Sequence, residues 1–219
     1  FNLQAAWTMG YVVGQHIGTF DNWNNSKILA YWKYDDATKP GKDSHSWLGR
    51  LNNIRTALQG QQGDRRLRLG IAGGEWKKMM ADATARTRFA SEVKKIIEQY
   101  EFDGVDFDFE WPANASEYNN YSATVIQMRS TLGKYVYFTA SLHPVSFKIS
   151  PEAIDALDFI SYQCYGPAVM RFPYEQFVKD GEAAVAYGIP KNKLVMGVPF
   201  YGSTGSLIAA YCDFVNDGL

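Results

Sequence analysis

Short apolar runs alternate with amphipathic stretches along this chain, and this alternation constrains the fold more than any other feature. In the stretch 86–100, Phe89, Val93, Ile96, Ile97 and Tyr100 recur at helical spacing. The runs that predict strands lie at 11–13, 28–34, 67–71, 102–109, 136–142, 159–165 and 194–199. Strands that alternate with helices this regularly predict right-handed strand–helix–strand units on a parallel sheet.

The punctuation between the runs supports these boundaries. Ser116 is predicted to cap the start of one helix, and Ser150 followed by Pro151 predicts the start of a short turn. Gly133 and Gly188 stand where helices are expected to end.

Two parallel arrangements fit this pattern, an open doubly wound sheet and a closed barrel. A GxGxxG sequence after the first strand would favour the open sheet, but Gly10, Gly14 and Gly18 have a different spacing. The barrel is therefore favoured. Because 46% of the 219 residues are hydrophobic, the chain can bury one large core, and we expect a single α/β domain over 1–219.

Charge and composition narrow the class of partner. The formal net charge is −1 and the basic residues are scattered, so we expect neither a nucleic-acid partner nor a membrane partner. Six Trp and fourteen Tyr would suit stacking on sugars or packing in a core. Cys164 and Cys212 are too few for a disulfide framework and leave the redox compartment undecided.

Two weak features concern the cellular location. The chain begins at Phe1, which suggests a processed or trimmed product. It also carries Asn-x-Ser sequons at Asn24, Asn114 and Asn120. On this basis we expect an extracellular protein.

The most informative segment is 102–112, which reads Phe-Asp-Gly-Val-Asp-Phe-Asp-Phe-Glu-Trp-Pro. On a strand, Asp106, Asp108 and Glu110 fall on one face, with about 6.6 Å between neighbours. We call these three residues the acid series. If they face a barrel interior, three charges at this spacing cannot all ionise readily, so at least one stays protonated near neutral pH. A general acid needs that condition.

Two other interpretations of the acid series remain open. An edge strand with its acids in water gives the same alternation, although Trp111 and Pro112 end the strand at once. A metal site is the second, but no His lies nearby in sequence and a linear series on one strand converges poorly on one ion. We expect no metal and no cofactor.

Asp103 together with the acid series matches the DxxDxDxE signature, and the chain resembles family 18 glycoside hydrolases of the chitinase type. Further segments resemble that family in the same order. They are Gly73-Gly74-Glu75-Trp76, Gln163-Cys164-Tyr165 and the stretch from Gly197 to Gly202. The resemblance implies a (β/α)8 barrel that hydrolyses chitin or N-acetylglucosamine oligosaccharides with retention of configuration.

The resemblance also implies roles for single residues. Glu110 would protonate the glycosidic oxygen while the substrate's own acetamide attacks, forming an oxazolinium ion. Asp108 would orient the acetamide and share a proton with Asp106, and Tyr165 would hold the acetamide oxygen. Substrate-binding candidates are Trp111, Trp76, Tyr201 and Gln163, and Asp103, Gly73 and Gly74 are structural motif positions. Trp32 is a further candidate for sugar stacking, whereas His16, His45 and His143 have no motif context.

Two departures from the family pattern keep other functions open. Gly166 follows Tyr165 where an acidic or amide residue is usual, and no eighth strand precedes Leu219, so we expect the full protein to be longer or a partner to fill the gap. A chitin-binding lectin of the same fold is one alternative function. An endo-β-N-acetylglucosaminidase acting on N-glycan cores is another, although Trp111-Pro112 favours a chitinase.

Overall fold

The structure is a computed structural model, and it describes residues 47–59, 66–72, 76–166, 173–199, 201–203 and 208–210. Residues 68–197 form one compact unit, which carries the acid series. A second unit contains helix α1 (Trp47–Gln59) and an antiparallel pair of strands, β6 (Tyr201–Ser203) and β7 (Ile208–Ala210). The predicted strands at 11–13 and 28–34 lie outside the described residues.

The larger unit is built on five parallel strands that pair in the order in which they follow one another along the chain. The strands are β1 (Arg68–Ile71), β2 (Gly104–Phe107), β3 (Tyr137–Leu142), β4 (Phe159–Gln163) and β5 (Leu194–Gly197). The helices between them are α2 (Trp76–Ala81), α3 (Ala83–Gln99), α4 (Ala115–Leu132), α5 (Pro151–Ala156) and α6 (Tyr174–Tyr187), followed by a 3-10 turn at Lys191–Lys193. None of the described helices is long and apolar enough to cross a bilayer.

The prediction of parallel strands joined by helices is confirmed for all five runs in this unit. Each strand ends at or before the predicted residue. The consecutive order β1 to β5 has no reversal point, whereas a doubly wound sheet reverses its order at a switch point. The sheet therefore grows in one direction, as in a barrel.

Three of the four predicted helix and turn boundaries are confirmed, and one is wrong. Ser150 caps α5 with Pro151 in its first turn, and Gly133 and Gly188 end α4 and α6. Helix α4 is capped by Asn114, whose side-chain oxygen accepts from the Glu117 N–H at 3.0 Å, and not by Ser116. Asn caps helices as well as Ser does, so the helix begins two residues earlier than predicted.

An aromatic cluster packs β2 against the helices. Val105 and Phe107 are fully buried, and Phe109 is nearly so. The ring of Phe107 lies 4.8 Å from that of Phe138 and 5.9 Å from that of Phe89 on α3. Burying side chains of this size supplies about 1.5–3 kcal/mol each. This packing fixes the apolar face of the segment, so Asp106 must point to the other side of the sheet.

Gly104 lets β2 and β3 approach each other closely at the start of their pairing. A Cβ atom at position 104 would lie 2.1 Å from the Tyr137 carbonyl oxygen. No side chain fits at that distance, so the glycine in the acid signature has a steric reason.

Arg129 on α4 forms hydrogen bonds to the segments that precede β3 and β4. Its guanidinium donates to the carbonyl oxygens of Ala156 and Val136 and to the carboxylate of Asp158 at 2.8 Å. Asp158 in turn accepts from the Phe138 N–H at 2.7 Å. Hydrogen bonds to charged groups are worth about 1.5–3 kcal/mol, so this arginine stabilises the junction of α4, β3 and β4.

Candidate active site

The acid series begins inside the sheet and ends outside it. Asp106 lies in β2 and is buried, Asp108 follows the strand and is partly buried, and Glu110 is exposed. The strand ends at Phe107, two residues before the predicted end, but the Asp108 N–H still donates to the Ile71 carbonyl oxygen at 2.9 Å. That bond continues the pairing with β1 and holds Asp108 at the carboxyl end of the sheet, where barrel active sites lie.

Asp106 is surrounded by hydrogen-bond donors from both neighbouring strands. Its carboxylate accepts from the hydroxyl of Thr139 and, at 2.9 Å, from that of Ser141, both on β3. From β1, the Arg68 guanidinium lies 3.5 Å from the same carboxylate. Donors and a positive charge favour the ionised form of a carboxyl group.

Asp108 has the opposite environment. Burial raises its pKa to about 7, and the negative charges of Asp106 and Glu110 act in the same direction. A hydrogen bond at 3.2 Å from the Gln163 side-chain amide to Asp108 opposes the shift. With a pKa of about 7, Asp108 is a carboxyl group that can hold a proton near neutral pH.

Glu110 stands at the open end of the series. Partial burial raises its pKa, and the nearby His143 side chain acts in the opposite direction. The Trp76 indole N–H donates to the Glu110 backbone carbonyl at 3.3 Å, and the Glu110–Trp111 peptide bond is cis. Asp108 and Glu110, the two carboxyl groups whose pKa is raised, both follow the carboxyl end of β2.

His143 connects the end of β3 to the loop that follows β4. Its Nε2 lies 2.8 Å from the Tyr165 carbonyl oxygen and 2.7 Å from that of Gly166, and its Nδ1 accepts from the Val145 N–H. This pattern requires a proton on Nε2 and none on Nδ1, which is the neutral tautomer. The imidazole ring also lies 4.8 Å from the Trp111 ring.

Tyr165 has its position shaped by a glycine on the next strand. A Cβ atom at Gly197 would lie 3.3 Å from the Tyr165 ring and 3.1 Å from the Tyr162 carbonyl oxygen. The glycine of β5 therefore leaves room for the ring beside the carboxyl end of β4.

The structure brings most of the predicted site residues to one end of the sheet, but it gives some of them other contacts. Gln163 is buried against Asp108. Trp76 is 5% exposed and packs against Phe109 and Tyr121, which is a core position and leaves no open face for a sugar.

Asp103 lies at the opposite, amino end of the sheet. Asp103 precedes the amino end of β2 and joins β3 through its backbone carbonyl, which accepts from the Tyr137 N–H at 2.9 Å. Tyr201 lies in the second unit, where only its backbone is described. Gly73, Gly74 and Trp32 lie outside the described residues, as do His16, His45 and Cys212.

Sequence reasoning missed the residues that surround Asp106. The strands that carry them were predicted from their apolar residues alone. Each of the three is a polar residue on the same face of the sheet as Asp106: Arg68, Thr139 and Ser141. Because successive residues of a strand point to opposite faces, the alternation of polar and apolar residues within 68–71 and 137–142 could have identified them as neighbours of Asp106. His143 has no motif context in the sequence, and the structure places its ring beside that of Trp111. Among the described residues, no group of three His, Cys, Asp or Glu side chains is placed to hold a metal ion.

Comparison with known proteins accounts for this arrangement of acids on a parallel sheet. The family model described as glycosyl hydrolases family 18 matches residues 11–212. The chain belongs to glycosyl hydrolases family 18. Its parallel sheet with intervening helices agrees with the (β/α)8 barrel that the sequence predicted.

Relatives within family 18 are distant. Probable chitinase 2 of Drosophila melanogaster is 26% identical over an alignment of 189 residues, and the match covers 69% of this chain and 37% of that protein. The class V chitinase of Arabidopsis thaliana is 25% identical over 167 residues, covering 61% of this chain and 44% of that protein. The chain thus spans less than half the length of these two relatives.

Solved structures share the fold at still lower identity. A chitinase from Bacteroides thetaiotaomicron superimposes with a TM-score of 0.67 at 19% identity, covering 80% of this chain and 62% of that one. A class V chitinase from Nicotiana tobaccum, solved in complex with NAG4, gives a TM-score of 0.55 at 19% identity over 70% of this chain and 54% of that one.

The raised pKa of Asp108 makes a prediction about stability. Its value of about 7 in the folded protein exceeds the ordinary 3.8, so folding favours the protonated form. The resulting stabilisation is complete below the ordinary value and is lost as pH rises through about 7. Asp108→Asn should therefore unfold at higher denaturant than the wild type at alkaline pH, by up to about 4 kcal/mol, with little difference at acid pH.

Urea unfolding of both proteins at acid and alkaline pH measures this difference. Glu98→Gln, which removes an exposed carboxylate from α3, is the control and should change stability by no more than about 0.5 kcal/mol. Equal stability of wild type and Asp108→Asn at both pH values would contradict the raised pKa.

Proposed function

We propose that this protein hydrolyses β-1,4-linked N-acetylglucosamine in chitin or chitooligosaccharides, retaining the anomeric configuration through the substrate's own acetamide group. One observation carries the proposal: two acids with raised pKa, Asp108 and Glu110, lie at the carboxyl end of a parallel sheet above an Asp106 that is bound by donors. The names of the distant relatives as chitinases support the same substrate class.

The reaction assigns one task to each acid. Glu110, whose raised pKa favours the protonated form, gives its proton to the glycosidic oxygen as the bond to the leaving sugar breaks. The acetamide oxygen of the substrate closes on the anomeric carbon, so no protein nucleophile is required. The acetamide N–H then becomes more acidic, and Asp108 accepts a hydrogen bond from it and offsets the positive charge of the oxazolinium ion.

Tyr165 and Gln163 complete this assignment. Tyr165, two residues after the end of β4, donates a hydrogen bond to the acetamide oxygen as that oxygen turns toward the anomeric carbon. Gln163, two residues earlier, binds Asp108 and limits its orientation. Trp111 is to provide a surface for a neighbouring sugar ring, and it is held beside His143.

Parallel assays on two substrates test the proposal. Release from a chromogenic chitobioside, without release of glycan from a high-mannose glycoprotein, is the expected result. Cleavage of the glycoprotein alone would indicate the endoglycosidase, and binding of chitin oligomers without turnover would indicate a lectin. A thiazoline analogue of the oxazolinium ion should bind much more tightly than N-acetylglucosamine, since transition-state analogues gain about 10²-fold or more.

The acids also predict the pH dependence of the reaction. The value of kcat/KM should fall on the alkaline side as Glu110 loses its proton, at a pH above that of an ordinary glutamate because its pKa is raised. It should fall on the acid side as the Asp106–Asp108 pair becomes fully protonated. Asp106→Ala should change the acid limb more than the alkaline limb. Identical acid limbs in the two proteins would mean that Asp106 has only a structural part.

A further inference from the structure

Arg68 places a buried positive charge beneath the acid series, and the proposed function gives it no task. It lies on β1, whose register pairs residue 68 with Gly104 and residue 70 with Asp106. Its side chain is only 8% exposed, and its guanidinium stacks on the Phe159 ring with the carbon atom 4.8 Å from the ring centre. A buried arginine is expensive to desolvate unless it meets an anion.

The anion that Arg68 meets is Asp106, and it reaches it in two ways. The direct separation between Nη1 and the carboxylate is 3.5 Å. The same Nη1 donates to the Thr139 hydroxyl, and that hydroxyl donates to the same carboxylate oxygen. A chain of donors that starts at a cation and ends at a carboxylate polarises each bond in the same direction.

We propose that Arg68 is a positioning residue that keeps Asp106 as the carboxylate and so places the single proton of the Asp106–Asp108 pair on Asp108. The proposal rests on the function assigned above, because only there does the position of this proton matter. Asp106 accepts from Thr139, Ser141 and Arg68, whereas Asp108 accepts from a neutral amide. The donors thus stabilise charge on one member of the pair only.

The groups that face the pair act consistently with this assignment. Glu110 adds negative charge beside Asp108, and the buried Tyr121 hydroxyl from α4 is kept neutral because burial, followed by Asp106 and Asp108, raises its pKa. Burial lowers the pKa of Arg68, but Asp106, Tyr137 and Asp158 oppose the shift. A guanidinium remains charged at all relevant pH values.

The consequence for the reaction is a proton that is already in place. With Asp106 ionised, Asp108 carries the proton in the free enzyme. As the oxazolinium ion forms, that proton passes to the Asp106 carboxylate and leaves Asp108 as the anion beside the acetamide. Without Arg68, Asp106 would compete for that proton. The pair would also accept a second proton more readily, so the acid limb of kcat/KM should move to higher pH.

Carbon-13 NMR of the aspartate carboxyl groups in the free protein tests the proposal without any substrate. Asp106→Asn and Asp108→Asn spectra assign the two signals. In the wild type, the Asp108 signal should shift between about pH 5 and pH 8 while the Asp106 signal stays at its ionised position. In Arg68→Gln, the Asp106 signal should move in that same interval, and Arg68→Lys should restore the wild-type pattern.

One control variant and one alternative variant separate this role from simple stabilisation. Arg129→Gln removes another arginine of the same unit and should lower stability without moving the Asp106 signal. The acid limb of kcat/KM should shift in Arg68→Gln but not in Arg129→Gln. If Arg68→Gln does not fold, Thr139→Val interrupts the donor chain and should give a smaller change of the same kind.

The outcomes are distinguishable from failure of the proposed function. A wild-type spectrum in which both carboxyl signals shift together by equal amounts overturns the role of Arg68, whatever the variants do. An Asp106 signal that is unchanged in Arg68→Gln overturns it as well. Absence of chitobioside hydrolysis, with the predicted spectra intact, would reject the substrate and leave the assignment of the proton standing.

Discussion

Glu110→Gln is expected to lower the turnover of chitobioside by at least about 10²-fold while leaving the fold and the affinity for chitin oligomers unchanged. Glutamine has nearly the same shape as glutamic acid but cannot give a proton to the glycosidic oxygen. Glu110 is exposed and its backbone carbonyl, not its carboxyl group, accepts from Trp76, so the substitution disturbs no buried contact. Steady-state kinetics, together with calorimetric titration of a chitin oligomer, measure the two effects.

A matched control for Glu110→Gln is Glu98→Gln, the same substitution on an exposed helix of the same unit. It should leave kcat and KM at the wild-type values. Wild-type turnover in Glu110→Gln would remove Glu110 from the role of general acid. Loss of both turnover and binding would point instead to a misfolded loop after β2.

Asp108→Asn is expected to be almost as damaging, with a loss of about 10²-fold or more in kcat. Asparagine can still accept from the Gln163 amide, so the side chain stays in place. It cannot take on the negative charge that offsets the oxazolinium ion. The loss should therefore appear in kcat and not in KM, because the missing interaction forms only in the transition state.

Tyr165→Phe provides the graded comparison for Asp108→Asn. It removes one hydrogen bond to a group that is charged in the transition state, worth about 1.5–3 kcal/mol, and leaves the ring that packs beside Gly197. Its loss of kcat should be smaller than that of Asp108→Asn. The reverse order would show that the acetamide is oriented mainly by the tyrosine.

The two expected effects of Asp108→Asn have opposite signs, and this is informative. The same substitution should stabilise the fold at alkaline pH and reduce catalysis, because a carboxyl group with a pKa of about 7 is unfavourable for folding once it ionises. An active-site residue that lowers stability is maintained by its function. A structural acid would give losses in both measurements.

The sequence by itself determined the strands of the larger unit and the acid series, since both depend on local periodicity. Alternation over 102–110 placed Phe107 and Asp106 on opposite faces, and apolar runs marked β1 to β5 to within a few residues. Local pattern failed at the start of α4, because Asn114 and Ser116 are both good caps and only the backbone decides between them.

Only the tertiary structure decided what surrounds each acid. Arg68 and Thr139 are 71 residues apart along the chain, and the local sequence of neither segment predicts that they meet at Asp106. Parallel pairing of β1, β2 and β3 brings them together, so that Asp106 is surrounded by donors while burial raises the pKa of Asp108. Desolvation and charge act through space, so a pattern along the chain could name the acids but could not assign the proton.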